Sequence, residues 1–285
     1  MPNVGSHVTI VEVGPRDGLQ NEKRIVPTED KLALIALLRA AHLPRLEVTA
    51  FVSPKWVPQM ADHEAILRGT PPDPGLVRSV LVPNERGALA ALAIGVEELA
   101  VFTSASETFA QKNINCSIAE SIARFAPIAE LARQSGVRLR GYVSCAVECP
   151  YEGPVAPEAV TQVAVALAEL GCIEISLADT IGRAVPAGVD TMLKAVLARL
   201  PASQLACHFH DTSGQALDNV DVALAYGIRV FDSAVGGLGG CPYAPGAAGN
   251  LSTLPLVRHV EAKGFSTDVD IACLQEAELF ATGLR

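Results

Sequence analysis

The clearest indication of the fold is in Ile173–Ala234, which reads IEISLADTIGRAVPAGVDTMLKAVLARLPASQLACHFHDTSGQALDNVDVALAYGIRVFDSA. It holds three short apolar runs, at Ile173–Leu177, Leu205–His210 and Arg229–Ala234, and the segments between them are rich in Ala and Leu and long enough for helices. Strands that read as almost continuous apolar runs are typical of parallel sheets covered on both faces. The stretch therefore predicts parallel strands that alternate with helices.

The same alternation extends over the rest of the chain. Five earlier strands are predicted at Val8–Val13, Leu46–Thr49, Val77–Val82, Glu98–Phe102 and Val137–Cys145. Helices are predicted at Lys31–Ala41, His63–Leu67, Gly87–Gly95, Ser117–Gln134, Pro157–Leu170, Pro186–Leu200, Ala216–Tyr226, Leu251–Lys263 and about 271–283. Thr28, Asn84 and Ser117 are predicted N-caps, and Gly136 and Gly171 follow two helix ends.

Eight strand–helix repeats without a break in composition predict one (β/α)8 TIM barrel over residues 1–285, with an extra C-terminal helix. A barrel of this kind commonly fills about 250 residues as one domain. A doubly wound open sheet is the alternative, and it fits less well. The turn after the first strand reads GPRDG at Gly14–Gly18, and a phosphate-binding turn would read GxGxxG.

Composition limits the classes of partner. The chain has 285 residues, of which 49% are hydrophobic, and a formal net charge of −9. This charge argues against nucleic acid or an anionic membrane as the main partner, and no apolar run reaches the roughly 18 residues of a membrane span. The seven cysteines are odd in number and lack redox or zinc spacing, which fits a reducing compartment. The N-terminal sequence shows no signal or transit pattern, so we expect a cytoplasmic protein.

A barrel brings polar residues from distant segments to one rim, because reactive groups cluster at the carboxyl ends of the strands. The polar residues predicted near those ends are Arg16, Asp17, Glu47, Thr49, Ser144, Ser176, Asp179, His208 and His210. We expect these side chains to lie close together.

The sequence HFHD at His208–Asp211 is the sharpest local pattern. Alternating side chains of a strand point to opposite faces, so His208 and His210 point the same way. Two imidazoles in register suit a divalent metal, and two hydrogen-bonded core histidines are the alternative. Asp211 is a candidate to orient a metal-bound imidazole.

The pair Arg16-Asp17 adds an oxygen ligand and a cation. A carboxylate beside an arginine stays ionised, and hard oxygen ligands suit Mg²⁺ or Mn²⁺. Asn250 could add an amide oxygen, so Asp17, His208, His210 and Asn250 make an octahedral nitrogen–oxygen site plausible. The arginine offers donors for a developing oxyanion. A solvated charge pair is the alternative interpretation.

Two further carboxylates keep two interpretations each. Glu47 could act as a base or could hold Arg16 in place through a buried ion pair. Asp179, in the sequence LADTIG, could support the metal site or cap a helix.

The segment Gly236–Asn250, GGLGGCPYAPGAAGN, has six glycines and two prolines and therefore predicts a shaped loop. A thiol in such a loop can act as acid or base once the loop closes over a substrate, which makes Cys241 a catalytic candidate. An incidental surface thiol is the alternative.

Together these motifs resemble the family of 3-hydroxy-3-methylglutaryl-coenzyme A lyases, which belongs to the same superfamily of barrel metal-dependent lyases as isopropylmalate and homocitrate synthases. The resemblance covers nearly the whole chain. It rests on the segments VEVGPRDGLQNE, EVTAFVSPKWVPQMAD, KNINCSI, GYVSCAVECPYEG, ISLADTIG, HFHDTSGQAL and GGLGGCPYAPGAAGN. One difference is that Ala178 stands where the family usually has Gly.

The resemblance implies an acyl-CoA substrate and cleavage of hydroxymethylglutaryl-CoA to acetyl-CoA and acetoacetate, a step of leucine breakdown. It implies metal ligation by Asp17, His208, His210 and Asn250, enolate stabilisation by Arg16, proton delivery by Cys241 and support of the site by Glu47. His208 is also a candidate for proton transfer. Lys23 and Lys112 are hypotheses for cations that contact coenzyme A.

Three alternative functions stay open. One is a lyase for a longer-branched substrate, and another is a condensing synthase of the same superfamily, although such synthases lack the cysteine loop. A non-catalytic barrel that binds acyl-CoA fits least, because every reacting group is present. The sequence also leaves open a homo-oligomer such as a dimer.

Overall fold

Eight parallel strands close into a barrel in the computed structural model, which describes residues 7–239 and 249–284. The barrel strands are β1 (Thr9–Glu12), β2 (Arg45–Ala50), β3 (Val77–Leu81), β4 (Glu98–Ser104), β5 (Arg138–Ser144), β8 (Glu174–Asp179), β9 (Leu205–Phe209) and β10 (Val230–Ser233). A two-stranded hairpin, β6 (Glu148–Cys149) and β7 (Gly153–Pro154), follows β5. Because β1 pairs with both β2 and β10, the sheet has no free edge and the predicted (β/α)8 barrel is confirmed.

Helices surround the barrel and follow the predicted order. They are α1 (Thr28–Ala40), α2 (His63–Gly69), α3 (Glu85–Ile94), α4 (Glu107–Ile114), α5 (Ile118–Ser135), α6 (Pro157–Leu170), α7 (Pro186–Leu197), α8 (Ala216–Ala225), α9 (Thr253–Ala262) and α10 (Ile271–Thr282). The predicted extra C-terminal helix is α10, and it packs against α1. Within the described ranges no helix is long and apolar enough to cross a membrane.

Helix α4 was not predicted, although its start carries a clear signal. The Ser106 hydroxyl accepts a hydrogen bond from the Phe109 backbone N–H, as an N-cap does. The short helix ends at Asn115, whose left-handed backbone (φ 51°) turns the chain into α5. Helix α4 therefore forms a wall at the carboxyl ends of the barrel strands, on the loop that follows β4.

Most predicted caps are confirmed. Ser117 and Glu120 form a reciprocal capping box at the start of α5, and Asn84 caps α3 by accepting from the Gly87 N–H at 3.0 Å. The prediction for Thr28 was wrong: this residue is already in α1, and its hydroxyl donates to Asp62 at 2.9 Å.

The inside of the barrel is charged, whereas the layer between strands and helices is apolar. Arg45 contacts Glu98 at 2.9 Å, and Arg140 contacts Glu174 and Asp232 at 2.7 Å each. All five are buried. Charges so far from water are tolerated only when they are paired and hydrogen-bonded, so these ion pairs fix the strands relative to one another.

Glu12, at the end of β1, joins three parts of the rim. Its carboxylate accepts the backbone N–H of Gly14 at 2.7 Å, the N–H of Val235 at 2.9 Å and the hydroxyl of Thr253. A Cβ at position 14 would lie 2.5 Å from the Glu12 carboxylate, so any larger residue there would displace this carboxylate from its three donors. Burial raises the pKa of Glu12 to about 7, even though these three donors oppose the shift.

This raised pKa predicts how stability depends on pH. The folded protein holds the Glu12 proton up to about pH 7, whereas the unfolded chain releases it near pH 4.5. The free energy of unfolding should therefore decrease between these values as the pH rises, by about 3 kcal/mol from this group. Glu12→Gln keeps a neutral side chain and should lose this part of the dependence. Urea unfolding of both proteins from pH 5 to 8 measures it, and equal slopes would contradict the assignment.

Candidate active site

A cavity of about 990 Å³ opens at the carboxyl ends of the barrel strands. Of the residues predicted for this rim, those that line it are Arg16, Asp17, Ser144, His208 and His210. Glu47 and Asp179 lie buried next to lining residues. The barrel thus brings the turn after β1 and the carboxyl ends of β5 and β9 to one place, as expected.

A single π-helical turn over Gly14–Gly18 positions Arg16 and Asp17. The carbonyl of Val13 accepts the N–H groups of Arg16, Asp17 and Gly18 at 3.1, 2.7 and 3.2 Å. This tight turn starts directly after β1, so both side chains remain at the rim. π-Helical turns are rare and occur often at functional sites.

The two histidines lie on the same face, as the alternation predicts. The ring centroids of His208 and His210 are 5.2 Å apart. One ligand atom from each of Asp17, His208 and His210 lies within 4.8 Å of the others. This carboxylate–imidazole set is the group of potential metal ligands found among residues 7–239 and 249–284.

Two unpartnered buried atoms show that these residues fit a cation. The Asn250 amide nitrogen donates to Asp17 at 2.9 Å and to the Leu238 carbonyl at 3.0 Å, which leaves its oxygen without a hydrogen bond to any described residue. Nδ1 of His210 is likewise buried without a partner in this part of the chain. An amide oxygen and a neutral imidazole nitrogen are both ligands for a divalent ion.

The protonation states favour a cation. Burial disfavours ionisation of Asp17, but Arg16 and both histidines outweigh it, and the pKa falls to about 2. Burial, helped by His208, lowers the pKa of His210 to about 4. Asp17 is therefore ionised and His210 neutral near pH 7, as metal ligands must be.

Arg16 lies between two carboxylates. Its terminal nitrogens contact Asp17 and Glu47 at 2.6 Å each, and the Tyr142 hydroxyl donates to the same Glu47 oxygen at 3.3 Å. Of the two interpretations of Glu47, the ion pair with Arg16 is thus present in the structure. Burial raises the pKa of Glu47, and Arg16 opposes this shift.

The carboxylates of Asp179 and Asp211 contact backbone. Asp179 accepts the N–H groups of Arg183 at 3.2 Å and Ala184 at 3.0 Å, and Asp211 accepts that of Ala216 at 3.0 Å. Asp179 orders the loop before α7, and Asp211 binds the start of α8. A role of either residue in orienting a metal ligand stays a prediction.

The sequence did not single out the carboxylate that contacts His208. Oδ2 of Asp232 lies 3.3 Å from Nδ1 of His208, because β9 and β10 pair these two residues side by side. Arg140 and Tyr142 were missed in the same way. The available signal was a charged or hydroxyl-bearing residue inside an otherwise apolar strand.

Two of the remaining predicted residues are Cys241 and Lys112. Cys241 lies outside the described residues. Lys112 lines the cavity, with its ammonium 4.5 Å from the centre of the Tyr151 ring. Ala178 also lines the cavity.

A (β/α)8 barrel with a carboxylate, two imidazoles and an amide beside a buried arginine fits a metal-dependent barrel enzyme. The chain belongs to the HMGL-like family, whose model matches residues 7–280, and within it to the 3-hydroxy-3-methylglutaryl-CoA lyases.

Relatives and solved structures agree with this assignment. A cytoplasmic 3-hydroxy-3-methylglutaryl-CoA lyase of Danio rerio is 54% identical over 277 residues, which cover 97% of this chain and 83% of the relative. The crystal structure of the HMG-CoA lyase from Brucella melitensis has 56% identity and a TM-score of 0.97, and covers 98% of this chain and 99% of that one. An HMG-CoA lyase from Acinetobacter baumannii, solved with coenzyme A and 3-methylmalate, has 38% identity and a TM-score of 0.93, with coverage of 100% and 93%.

Proposed function

We propose that the chain cleaves 3-hydroxy-3-methylglutaryl-CoA between C2 and C3 into acetyl-CoA and acetoacetate. The observation that carries the proposal is the convergence of Asp17, His208 and His210 beside Arg16 at the mouth of the cavity. The names of the relatives support the substrate. We also propose that one domain carries the whole activity, since the family model matches residues 7–280.

The reaction removes the proton of the C3 hydroxyl, breaks the C2–C3 bond and leaves the electron pair on the thioester enolate. A divalent ion such as Mg²⁺ or Mn²⁺, held by Asp17, His208, His210 and Asn250, would lower the pKa of a hydroxyl bound to it. Protonation of the enolate at C2 completes acetyl-CoA, and the other fragment leaves as acetoacetate.

The other proposed residues stabilise the negative charge of the enolate or supply the proton that is added to C2. The guanidinium of Arg16 faces the cavity and would stabilise the enolate oxygen, where negative charge appears only as the bond breaks. Glu47 contacts that guanidinium, and the Tyr142 hydroxyl donates to the same oxygen of Glu47. We propose Cys241 as the group that delivers or relays the proton to C2, because it is the thiol of the glycine-rich sequence between Gly239 and Asn250, whose two ends lie at the site.

We propose that coenzyme A binds in the cavity against the wall formed by α4. Lys112, on α4, supplies a cation there for an anionic substrate, despite the net charge of −9. The related structure solved with coenzyme A supports an acyl-CoA substrate. We place the enzyme in a reducing compartment such as the cytoplasm, because the cysteines in the described ranges are free thiols.

Product analysis tests the function. Purified protein with Mg²⁺ should convert hydroxymethylglutaryl-CoA to equal amounts of acetyl-CoA and acetoacetate, and EDTA should abolish turnover until excess Mg²⁺ is returned. Condensation of acetyl-CoA with an α-keto acid, with hydroxymethylglutaryl-CoA left intact, would instead identify a synthase.

A further inference from the structure

A buried carboxylate lies behind one of the two histidines. Asp232 is 1% exposed and His208 is 6% exposed, and the β10–β9 register sets them side by side. Nδ1 of His208 lies 3.3 Å from Oδ2 of Asp232. Asp232 is neither among the residues that line the cavity nor in the group of potential metal ligands, so it contacts the site only through the histidine.

The other contacts of Asp232 fix its ionisation and orientation. A terminal nitrogen of Arg140 donates to its Oδ1 at 2.7 Å, and the Ser176 hydroxyl donates to its Oδ2 at 2.8 Å. The Arg140 guanidinium also reaches Oδ2 at 3.3 Å, so a permanent cation contacts both oxygens of Asp232 and pairs with it as a carboxylate. An ionised carboxylate only accepts hydrogen bonds, so the hydrogen between Asp232 and His208 lies on Nδ1.

We propose that Asp232 is a positioning residue that holds His208 as the Nδ1–H tautomer and so presents its Nε2 lone pair to the divalent ion. This deepens the proposed function, since it assigns how one ligand of that site is oriented. Carboxylates that accept the second N–H of a metal-bound imidazole fix both the tautomer and the ring plane. They also make the ligating nitrogen more basic.

The tautomer separates the two roles that the sequence left open for His208. With Nδ1 donating to Asp232 and Nε2 directed to the ion, neither nitrogen is free to take the proton of the substrate hydroxyl. His208 is then a ligand, and the proton leaves by another group.

Asp232→Asn is a sharp test because Arg140 fixes how the amide sits. Arginine only donates, and Arg140 contacts Oδ1 at 2.7 Å but Oδ2 only at 3.3 Å, so the amide oxygen is favoured at the Oδ1 position. The NH₂ group then takes the Oδ2 position and donates to Nδ1 of His208. The imidazole is driven to the Nε2–H tautomer, in which the nitrogen needed for the ion carries a proton.

Metal binding without substrate is the first measurement. Titration with Mn²⁺, followed by EPR of the free ion, should show affinity about 10- to 100-fold weaker in Asp232→Asn than in the wild type. Glu174→Gln is the matched control, because it also replaces a buried carboxylate bonded to Arg140 at 2.7 Å but does not contact His208. It should bind Mn²⁺ as the wild type does. Wild-type affinity in Asp232→Asn, or an equal loss in both variants, would overturn the proposal.

The tautomer itself is the second measurement and needs no variant. Two-bond ¹H–¹⁵N spectra of histidine-labelled wild-type protein, saturated with Mg²⁺, should show His208 protonated at Nδ1 and bare at Nε2. Protonation at Nε2 would overturn the proposal even if Asp232→Asn did not fold. These readouts are independent of turnover, so they also separate this proposal from the choice of substrate.

Discussion

Arg16→Met should lower kcat by about 10²- to 10³-fold, which is the usual cost of removing one oxyanion donor. Substrate affinity should change far less. The enolate charge exists only as the C2–C3 bond breaks, so the partner of Arg16 is present mainly in the transition state. Steady-state kinetics on hydroxymethylglutaryl-CoA at saturating Mg²⁺ separate kcat from KM. A loss confined to KM would contradict the role of Arg16.

Arg16→Met should also lower the stability of the folded enzyme, so the controls must separate lost stability from lost turnover. Glu47 is fully buried and would lose its contact at 2.6 Å, so that among the described residues only the Tyr142 hydroxyl, at 3.3 Å, would still contact its carboxylate. Removing one partner of a buried ion pair typically costs about 3–5 kcal/mol of stability. The double variant Arg16→Met/Glu47→Gln removes the uncompensated charge, so it should recover stability without recovering kcat. Recovery of kcat in the double variant would show that Arg16 acts only by neutralising Glu47.

Arg16→Lys supplies the intermediate case. The ammonium keeps the positive charge but lacks the planar fork that contacts two carboxylates at once. We expect turnover between those of the wild type and Arg16→Met. Lysine as inactive as methionine would mean that donor geometry matters more than charge.

The barrel and its rim were predictable because they follow from local periodicity. Alternation in β9 placed His208 and His210 on one face, and the barrel rule placed that face beside the turn after β1. Cap signals such as Ser117 set helix starts almost to the residue. Such features depend on neighbours in sequence, so one sequence suffices to read them.

The supporting residues could not be predicted because they depend on register between strands. Asp232 meets His208 only through the β9–β10 pairing, and Arg140 reaches Asp232 across 92 positions of sequence. In the sequence, Asp232 and Arg140 appear only as charged residues inside mainly apolar strands, with nothing to indicate that they meet. For Asp179 and Asp211 the structure shows hydrogen bonds to backbone N–H groups, and their proposed role beside the metal site stays a prediction.

His210→Ala should produce the other large effect, on the metal. The variant removes a half-buried imidazole whose buried Nδ1 has no hydrogen bond to another described residue, so few stabilising contacts are lost with it. Loss of a direct ligand should weaken Mn²⁺ binding by more than the roughly 10- to 100-fold expected for an outer carboxylate such as Asp232. Turnover at a fixed low metal concentration should fall in parallel.

The control for this prediction is a histidine far from the rim. His259, on α9, contacts Asp221 at 2.7 Å, and His259→Ala should bind Mn²⁺ as the wild type does. Titration of both variants with Mn²⁺, followed by EPR, gives the affinities directly. Wild-type affinity in His210→Ala would exclude His210 as a ligand. The ion would then be held by Asp17, His208 and Asn250 without His210. Asp17 would stay in place for this, because it keeps its contacts with Arg16 and Asn250.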